Sequence, residues 1–236
     1  MRLVLASLAL ASLSPLADAK CMQPMQHPKV LNAGVTAPPD GGLLVMTSTE
    51  YGSNAVDEGE ALQPTWVFKS GKKESKPETV VLAPGLVVYK LPAKVTSADL
   101  VGDKKSRGKI TTSTKAIDLL PAPDVTSLET TSSDNMIRPE TSSLVVLATA
   151  APVGARALIV TDEGAAKTVL TFGLISPAGK APVTDVVVYQ QGHCSALPDG
   201  TGAPYADESV TVRYVDNFGR LSPPSKPIKV VAKKVK

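Results

Sequence analysis

Val210-Thr211-Val212-Arg213-Tyr214-Val215 is followed by Asp216-Asn217-Phe218-Gly219-Arg220-Leu221, then Ser222-Pro223-Pro224-Ser225, then Ile228-Lys229-Val230-Val231. The first run alternates Val with polar residues, the second collects turn formers around a Gly, and the third resumes the Val-rich pattern after prolines that cannot donate to a ladder. This is the signature of two strands joined by a polar turn. Working outward, the same grammar recurs along the chain. The pattern predicts strands at Leu43–Ser48, Thr65–Lys69, Thr79–Leu82, Leu86–Leu91 and Lys109–Lys115, then at Val125–Thr130, Ser143–Thr149 and Ala157–Thr161, and finally at Thr168–Leu174, Thr184–Gln190, Ser209–Val215 and Ile228–Ala232. No window of ten residues carries apolar spacing of 3, 4 and 7, so long helices are not expected. Trp66 and Phe68 alternate with Thr65 and Val67 and read as core, not as a platform for sugar stacking.

With 236 residues, 43% apolar and 20% charged, the chain is long enough for one large or two ordinary domains. That composition argues against wholesale disorder and against a multi-span membrane protein. Two alignments share an offset of 100 residues: Pro39-Asp40 with Leu44-Val45-Met46 onto Pro139-Glu140 with Leu144-Val145-Val146, and Leu86-Val87-Val88-Tyr89 onto Val186-Val187-Val188-Tyr189. A shared offset implies two units of about 100 residues, the size of a seven-strand sandwich. The junction falls near Leu119-Leu120-Pro121-Ala122-Pro123, where two prolines would stiffen a short linker.

The stretch Val210–Ser225 with Ile228–Val231 resembles the last two strands of a fibronectin type III or related immunoglobulin-like domain, and Pro121–Val125 resembles the proline-containing entry of one. The resemblance departs at Ser143–Thr149, which has no Trp, and at Val210, where a Tyr is expected. The resemblance covers the C-terminal half only and implies a sandwich there, with no subtype and no particular function; together with the shared offset, the expectation is an all-β protein of two tandem immunoglobulin-like sandwiches, residues 20–120 and 121–236.

At the start of the chain, Met1-Arg2 is followed by the apolar run Leu3–Leu13 and by Ala17-Asp18-Ala19, the three regions of a secretory signal cleaved after Ala19. The run ends at Ser14-Pro15, short of the ~20 residues a membrane anchor needs, so no transmembrane segment is expected after cleavage. Export to the periplasm or the exterior would place Cys21 and Cys194 in an oxidising compartment, where they are expected to form a disulfide. Closing a loop of more than 170 residues would have an entropic effect of about 5 kcal/mol in the chain model. Activation of Cys194 by His193 is disfavoured, because neighbours in an extended segment face opposite ways.

Catalytic signatures are missing. His27 and His193 are the two histidines, and there is no Gly-x-Ser-x-Gly elbow, Walker loop or dinucleotide fingerprint. No spacing selects a carboxylate pair for glycoside hydrolysis. Asp57, Glu58 and Glu60 lack the twelve-residue calcium loop and read as a solvated segment. Cys21, Met22, Met25 and His27 offer sulfur and imidazole suited to copper. His27-Pro28-Lys29 with Pro39-Asp40-Gly41 is also similar to the start of small periplasmic copper carriers, in which the His is the first residue. Lys226, Lys229, Lys233, Lys234 and Lys236 form a basic tail behind an acidic body, Pro121–Ser225, with six Arg or Lys against eleven Asp or Glu. Such a tail can attract anionic headgroups or polyanionic sugars, but its alternation with Ile228, Val230 and Val231 fits a final strand with a solvated basic end. Basic residues without interleaved aromatics argue against nucleic-acid binding.

The sequence therefore points to an exported module of the cell envelope, not an enzyme and without a cofactor, that recognises a protein or glycan. The alternatives are a periplasmic copper-binding protein using Cys21, Met22, Met25 and His27, and a hydrolase with carboxylates that spacing does not identify. Intact mass of protein taken from the export compartment and alkylated without reduction is expected to begin at Lys20, two hydrogens light, unalkylated and metal-free. Two alkylated thiols, or copper lost on denaturation, would replace the bridge with the copper reading.

Overall fold

The structure, a computed structural model, describes residues 28–47, 66–83, 85–133, 141–163, 169–175, 182–191 and 209–235. All regular structure among them is β. The first half holds β1 (Lys29–Val30), β2 (Val35–Ala37), β3 (Leu43–Met46), β4 (Val67–Ser70), β5 (Lys73–Ser75), β6 (Glu78–Ala83), β7 (Leu86–Lys90), β8 (Ser97–Gly102) and β9 (Lys105–Thr112). The second holds β10 (Val125–Ser133), β11 (Thr141–Leu147), β12 (Ala155–Asp162), β13 (Val169–Leu174), β14 (Asp185–Gln191), β15 (Ser209–Asp216) and β16 (Ile228–Val235). Residues 113–124 between β9 and β10 carry no strand.

Three sheets result. In the first half, a four-stranded sheet ordered β1-β3-β7-β6 faces a five-stranded sheet ordered β2-β9-β8-β4-β5. Between them lies a core that includes Leu43, Val45, Phe68, Val87, Tyr89, Leu100 and Ile110. Trp66, 6% exposed, meets the Tyr89 ring edge-on at 6.3 Å. The second half is a seven-stranded sheet, β13-β12-β15-β16-β10-β11-β14, curled into a nearly closed barrel. Its two edge strands approach so closely that a Cβ on Gly173 of β13 would collide with the Val187 carbonyl oxygen of β14. Glycine is what allows one backbone to lie against another there. Leu128, Val145, Leu158, Val160, Val186, Val212 and Tyr214 fill the barrel.

The halves are joined by a third apolar cluster. Leu44, Leu86 and Val88 point away from the first core and are buried against Ala157, Ile159 and Val215, which point away from the second. Strands covered on both faces read as unbroken apolar runs and lose the alternation of half-buried ones, which is why β3 is Leu-Leu-Val-Met and β7 Leu-Val-Val-Tyr-Lys. At about 1.5–3 kcal/mol for each fully buried Leu or Ile, Leu44, Leu86 and Ile159 alone make a substantial joint.

The strand expectations need specific corrections. β9 runs Lys105–Thr112, so Ser113-Thr114-Lys115 fall outside it and its first four residues were unforeseen. β1, β2, β5 and β8 gave no apolar signal. In β8 the inward positions are Ala98, Leu100 and Gly102, and a Cβ on Gly102 would collide with the Trp66 indole. The 100-residue offset falls on matching pairs, Leu43 opposite Tyr89 and Ser143 opposite Tyr189.

Burial pushes the hydroxyls of Tyr89 and Tyr214 above their ordinary value of 10.0, with the Asp124 charge adding to the effect at Tyr214. The acid is held neutral in the folded state, so this contribution to stability is intact below 10.0 and is lost as pH rises through the folded values. Phenolate absorbance of Tyr89 and Tyr214, isolated by Phe substitution at each, is expected to appear only with alkaline unfolding. Ionisation near 10.0 with the fold intact would show that the two rings are accessible.

Candidate functional site

The turn after β15 is built by its own sequence. Asp216 Oδ1 accepts from the backbone N–H groups of Phe218 (2.8 Å) and Arg220 (2.9 Å), an Asp-initiated turn. Gly219 sits at φ +75°, a left-handed conformation that Gly adopts without the cost a side chain would incur. A Cβ there would also collide with Val88 of the other half. The turn thus sets Arg220 back against Asp216 and aims Phe218 at the first core, where it packs.

Arg220 is 8% exposed and its guanidinium has five N–H donors. Nε donates to Asp216 Oδ2 at 2.8 Å. Nη1 donates to the Ile117 carbonyl at 2.8 Å and to Asp40 Oδ1 at 3.4 Å. Nη2 donates to the Asp118 carbonyl at 3.2 Å and lies 2.8 Å from Asp216 Oδ2. Every donor has an acceptor, and the acceptors come from the first half, the linker and the second half. The Phe218 ring lies 5.5 Å from the guanidinium carbon, within cation–π range.

Asn32, 3% exposed, makes the companion link. Its Nδ2 donates to the carbonyls of Gly42 (3.0 Å) and Asn217 (2.7 Å), and its Oδ1 accepts from Leu44 N–H (2.7 Å). The Gly42 N–H donates to the Phe218 carbonyl at 2.8 Å, and Arg156 Nε donates to Asn217 Oδ1 at 2.7 Å. Beyond the turn, Ser222 and Ser225 continue the ladder around two prolines. Their hydroxyls accept from the N–H groups of Tyr214 (2.9 Å) and Val212 (3.0 Å), and their own N–H groups donate to the carbonyls of the same two residues. Chemically this is a fastening, its buried donors and acceptors spent on one another, with the Asp40 carboxylate exposed at its rim.

A scan of protein-family models and searches of curated proteins and solved structures found nothing that matches this chain. The site is therefore read from its own geometry. Cys21, Met22, Met25, His27, His193 and Cys194 lie outside the described residues, as do the signal segment 1–19 and Asp57, Glu58 and Glu60. Among the described residues, no group of three or more His, Cys, Asp or Glu could hold a metal ion. Of the basic tail, Lys229, Lys233 and Lys234 lie in β16, Lys226 precedes it, and Lys236 lies outside the described residues. Lys233 Nζ meets Glu129 Oε2 at 2.6 Å. That hydrogen bond holds the Glu129 carboxyl below its ordinary value. Trp66 and Phe68 are buried, at 6% and 0% exposure.

The sequence reading passed over Asn32, Asp216, Asn217 and Arg220. The available signal was Asp and Arg flanking a Gly-containing turn, and a turn charge ordinarily reads as solvated.

Arg220→Ala is expected to cost about 3–5 kcal/mol, because it strands a buried carboxylate and two linker carbonyls. Arg220→Lys should recover little, since an ammonium lacks the planar five-donor fork. Urea denaturation monitored by Trp66 fluorescence checks both. A loss under about 1 kcal/mol for Arg220→Ala, the range of exposed ion pairs, would show that the clamp is not what fastens the halves.

Proposed function

We propose that this protein is an exported, non-catalytic binding or structural module of the cell envelope that recognises a protein or a glycan. Its two units, residues 20–120 and 121–236, are read as immunoglobulin-like domains. The strand orders support this reading. In the first half β1-β3-β7-β6 corresponds to A-B-E-D, and β9-β8-β4-β5 to G-F-C-C′. In the second, β10-β11-β14 corresponds to A-B-E and β13-β12-β15-β16 to C′-C-F-G. In both, a strand near the unit's start pairs parallel with its last strand, β2 with β9 and β10 with β16.

The observation that carries the functional reading is the junction. An apolar seam and a five-donor clamp fix the two units as one block, so surfaces on both keep a constant relation. Recognition through a fixed, composite surface benefits from that rigidity, because less freedom is lost on binding. Turnover that depends on closure between domains would require the opposite.

Biosensor titration of the purified chain against protein and glycan fractions of the envelope tests the proposal. Saturable binding is expected, with the ligand released chemically unchanged. Product formation abolished by a single carboxylate substitution would replace it with the hydrolase reading.

A further inference from the structure

The two units differ in charge. Within residues 66–75 and 94–112, which supply β4, β5, β8 and β9 with their turns, eight Lys or Arg stand against three Asp or Glu. Residues 121–225 hold six against eleven. The four basic strands belong to the five-stranded sheet, which takes no part in the apolar seam between the units. Its carboxylates are engaged locally. Glu74 meets Lys69 at 2.7 Å, Asp103 meets Arg107 at 2.6 Å, and Asp99 stands between Lys69 and Lys109 in the strand register. Lys72, Lys73, Lys94, Lys104 and Lys105 are exposed, and no ion pair among the described residues engages them.

Two of these lysines stand where the backbone favours glycine. Asp103 and Lys104, at φ +51° and +61°, are the central pair of the β8–β9 hairpin turn, closed by the Gly102–Lys105 pair. Such a turn needs the left-handed conformation twice, and Gly ordinarily takes the second place. Lys94, at φ +72°, is third in the turn in which Val95 N–H donates to the Pro92 carbonyl at 3.1 Å, again a place for Gly or Asn. Backbone strain kept at a side chain, where Gly would relieve it, points to a use for that side chain. Arg107 holds the hairpin turn in shape by donating to Asp103 Oδ2 and to the Gly102 carbonyl.

The two turns lie at opposite ends of β8. Because β4 runs antiparallel to β8, with Lys69 opposite Asp99, the turn carrying Lys72 and Lys73 falls at the Lys94 end. Six residues of β8 separate the two lysine groups by about 20 Å. One small anion cannot reach both, whereas a chain bearing anions at intervals can. No exposed large apolar side chain lies on these strands or turns, and Trp66 and Phe68 are buried. Membrane insertion and protein interfaces use apolar anchors, and base stacking uses exposed rings. Charge without either fits an anionic polysaccharide.

We propose that Lys72, Lys73 and Lys94 at one end of the five-stranded sheet, with Lys104 and Lys105 at the other, bind an extended anionic polysaccharide. The inference rests on the binding-module reading and names its ligand class.

Biosensor titration of the full chain against dextran sulfate, polygalacturonate and uncharged dextran tests it. Saturable binding is expected to one charged polymer or both, with none to dextran, and it should weaken as salt is raised. Lys94→Gly combined with Lys104→Gly should lower affinity at least about tenfold. The same variant should melt no lower than the parent, because Gly enters the left-handed region more readily than Lys. Lys94→Arg with Lys104→Arg should keep binding. Lys226→Gln with Lys229→Gln removes as much charge from the tail and should bind as the parent does. Failure of both charged polymers, undiminished binding by the double Gly variant, or an equal loss in the tail variant overturns the proposal. Tighter binding to vesicles of anionic lipid, or to polyglutamate, overturns it as well. If the polymers fail while envelope fractions still bind, this inference falls alone; if neither binds, the module reading falls with it.

Discussion

The molecule depends on a guanidinium with no donor left over. Arg220 could not be buried at the meeting of two units and a linker unless each N–H found an oxygen, because removing that charge from water costs several kcal/mol before any partner is counted. Asp216 offsets the charge, and Asp40 with the carbonyls of Ile117 and Asp118 completes the set. The carbonyls matter as much as the carboxylates, because they belong to the linker. Arg220 therefore fixes the path of the chain between units as well as their contact. Asn32 extends the same logic to the neutral groups, tying Gly42 and Asn217 across the seam.

Around that clamp, packing decides orientation. The inner sheet of the first half is apolar on both sides, so neither face can meet water without cost. The outward side of β12 and β15 supplies the cover through Ala157, Ile159 and Val215. Small Ala157 and glycine at 219 let the backbones come close, and Phe218 reaches past the seam into the first core. The halves thus share a core cluster as well as a surface contact. The inner sheet of the first half and the outward side of β12 and β15 are consumed by this arrangement, which leaves the other faces and the loops for encounters with other molecules.

Much of the β architecture was legible because Val-rich runs between Pro and Gly have few other solutions. Leu86–Tyr89 and Val210–Val215 were read as strands for that reason. Ser97–Gly102 was not, since its inward positions are a small Ala98, a Leu and a Gly that makes room for Trp66. The doubled apolar character of Leu43–Met46 was visible as a run but not as a sign of two covered faces. Arg220 was unreadable for a different reason. Its partners Asp40, Ile117 and Asp118 lie more than 100 residues away in sequence, and no local pattern distinguishes an arginine that will be enclosed from one that will be wetted. The 100-residue offset matched β3 with β11 and β7 with β14, yet it did not match their faces: a register shift intervenes between β11 and β14, and Val87 is inward where Val187 is outward.

The parallel pairing of β10 with β16, Leu128–Ser133 alongside Val230–Val235, has a mechanical meaning. Tension that enters at Val125 and leaves at Val235 pulls these strands lengthwise past each other. Their hydrogen bonds lie across the pull and are loaded together in shear, instead of being peeled one at a time as at the open end of a hairpin. A unit closed in this way resists stretching between its two ends far better than its modest strand lengths would indicate.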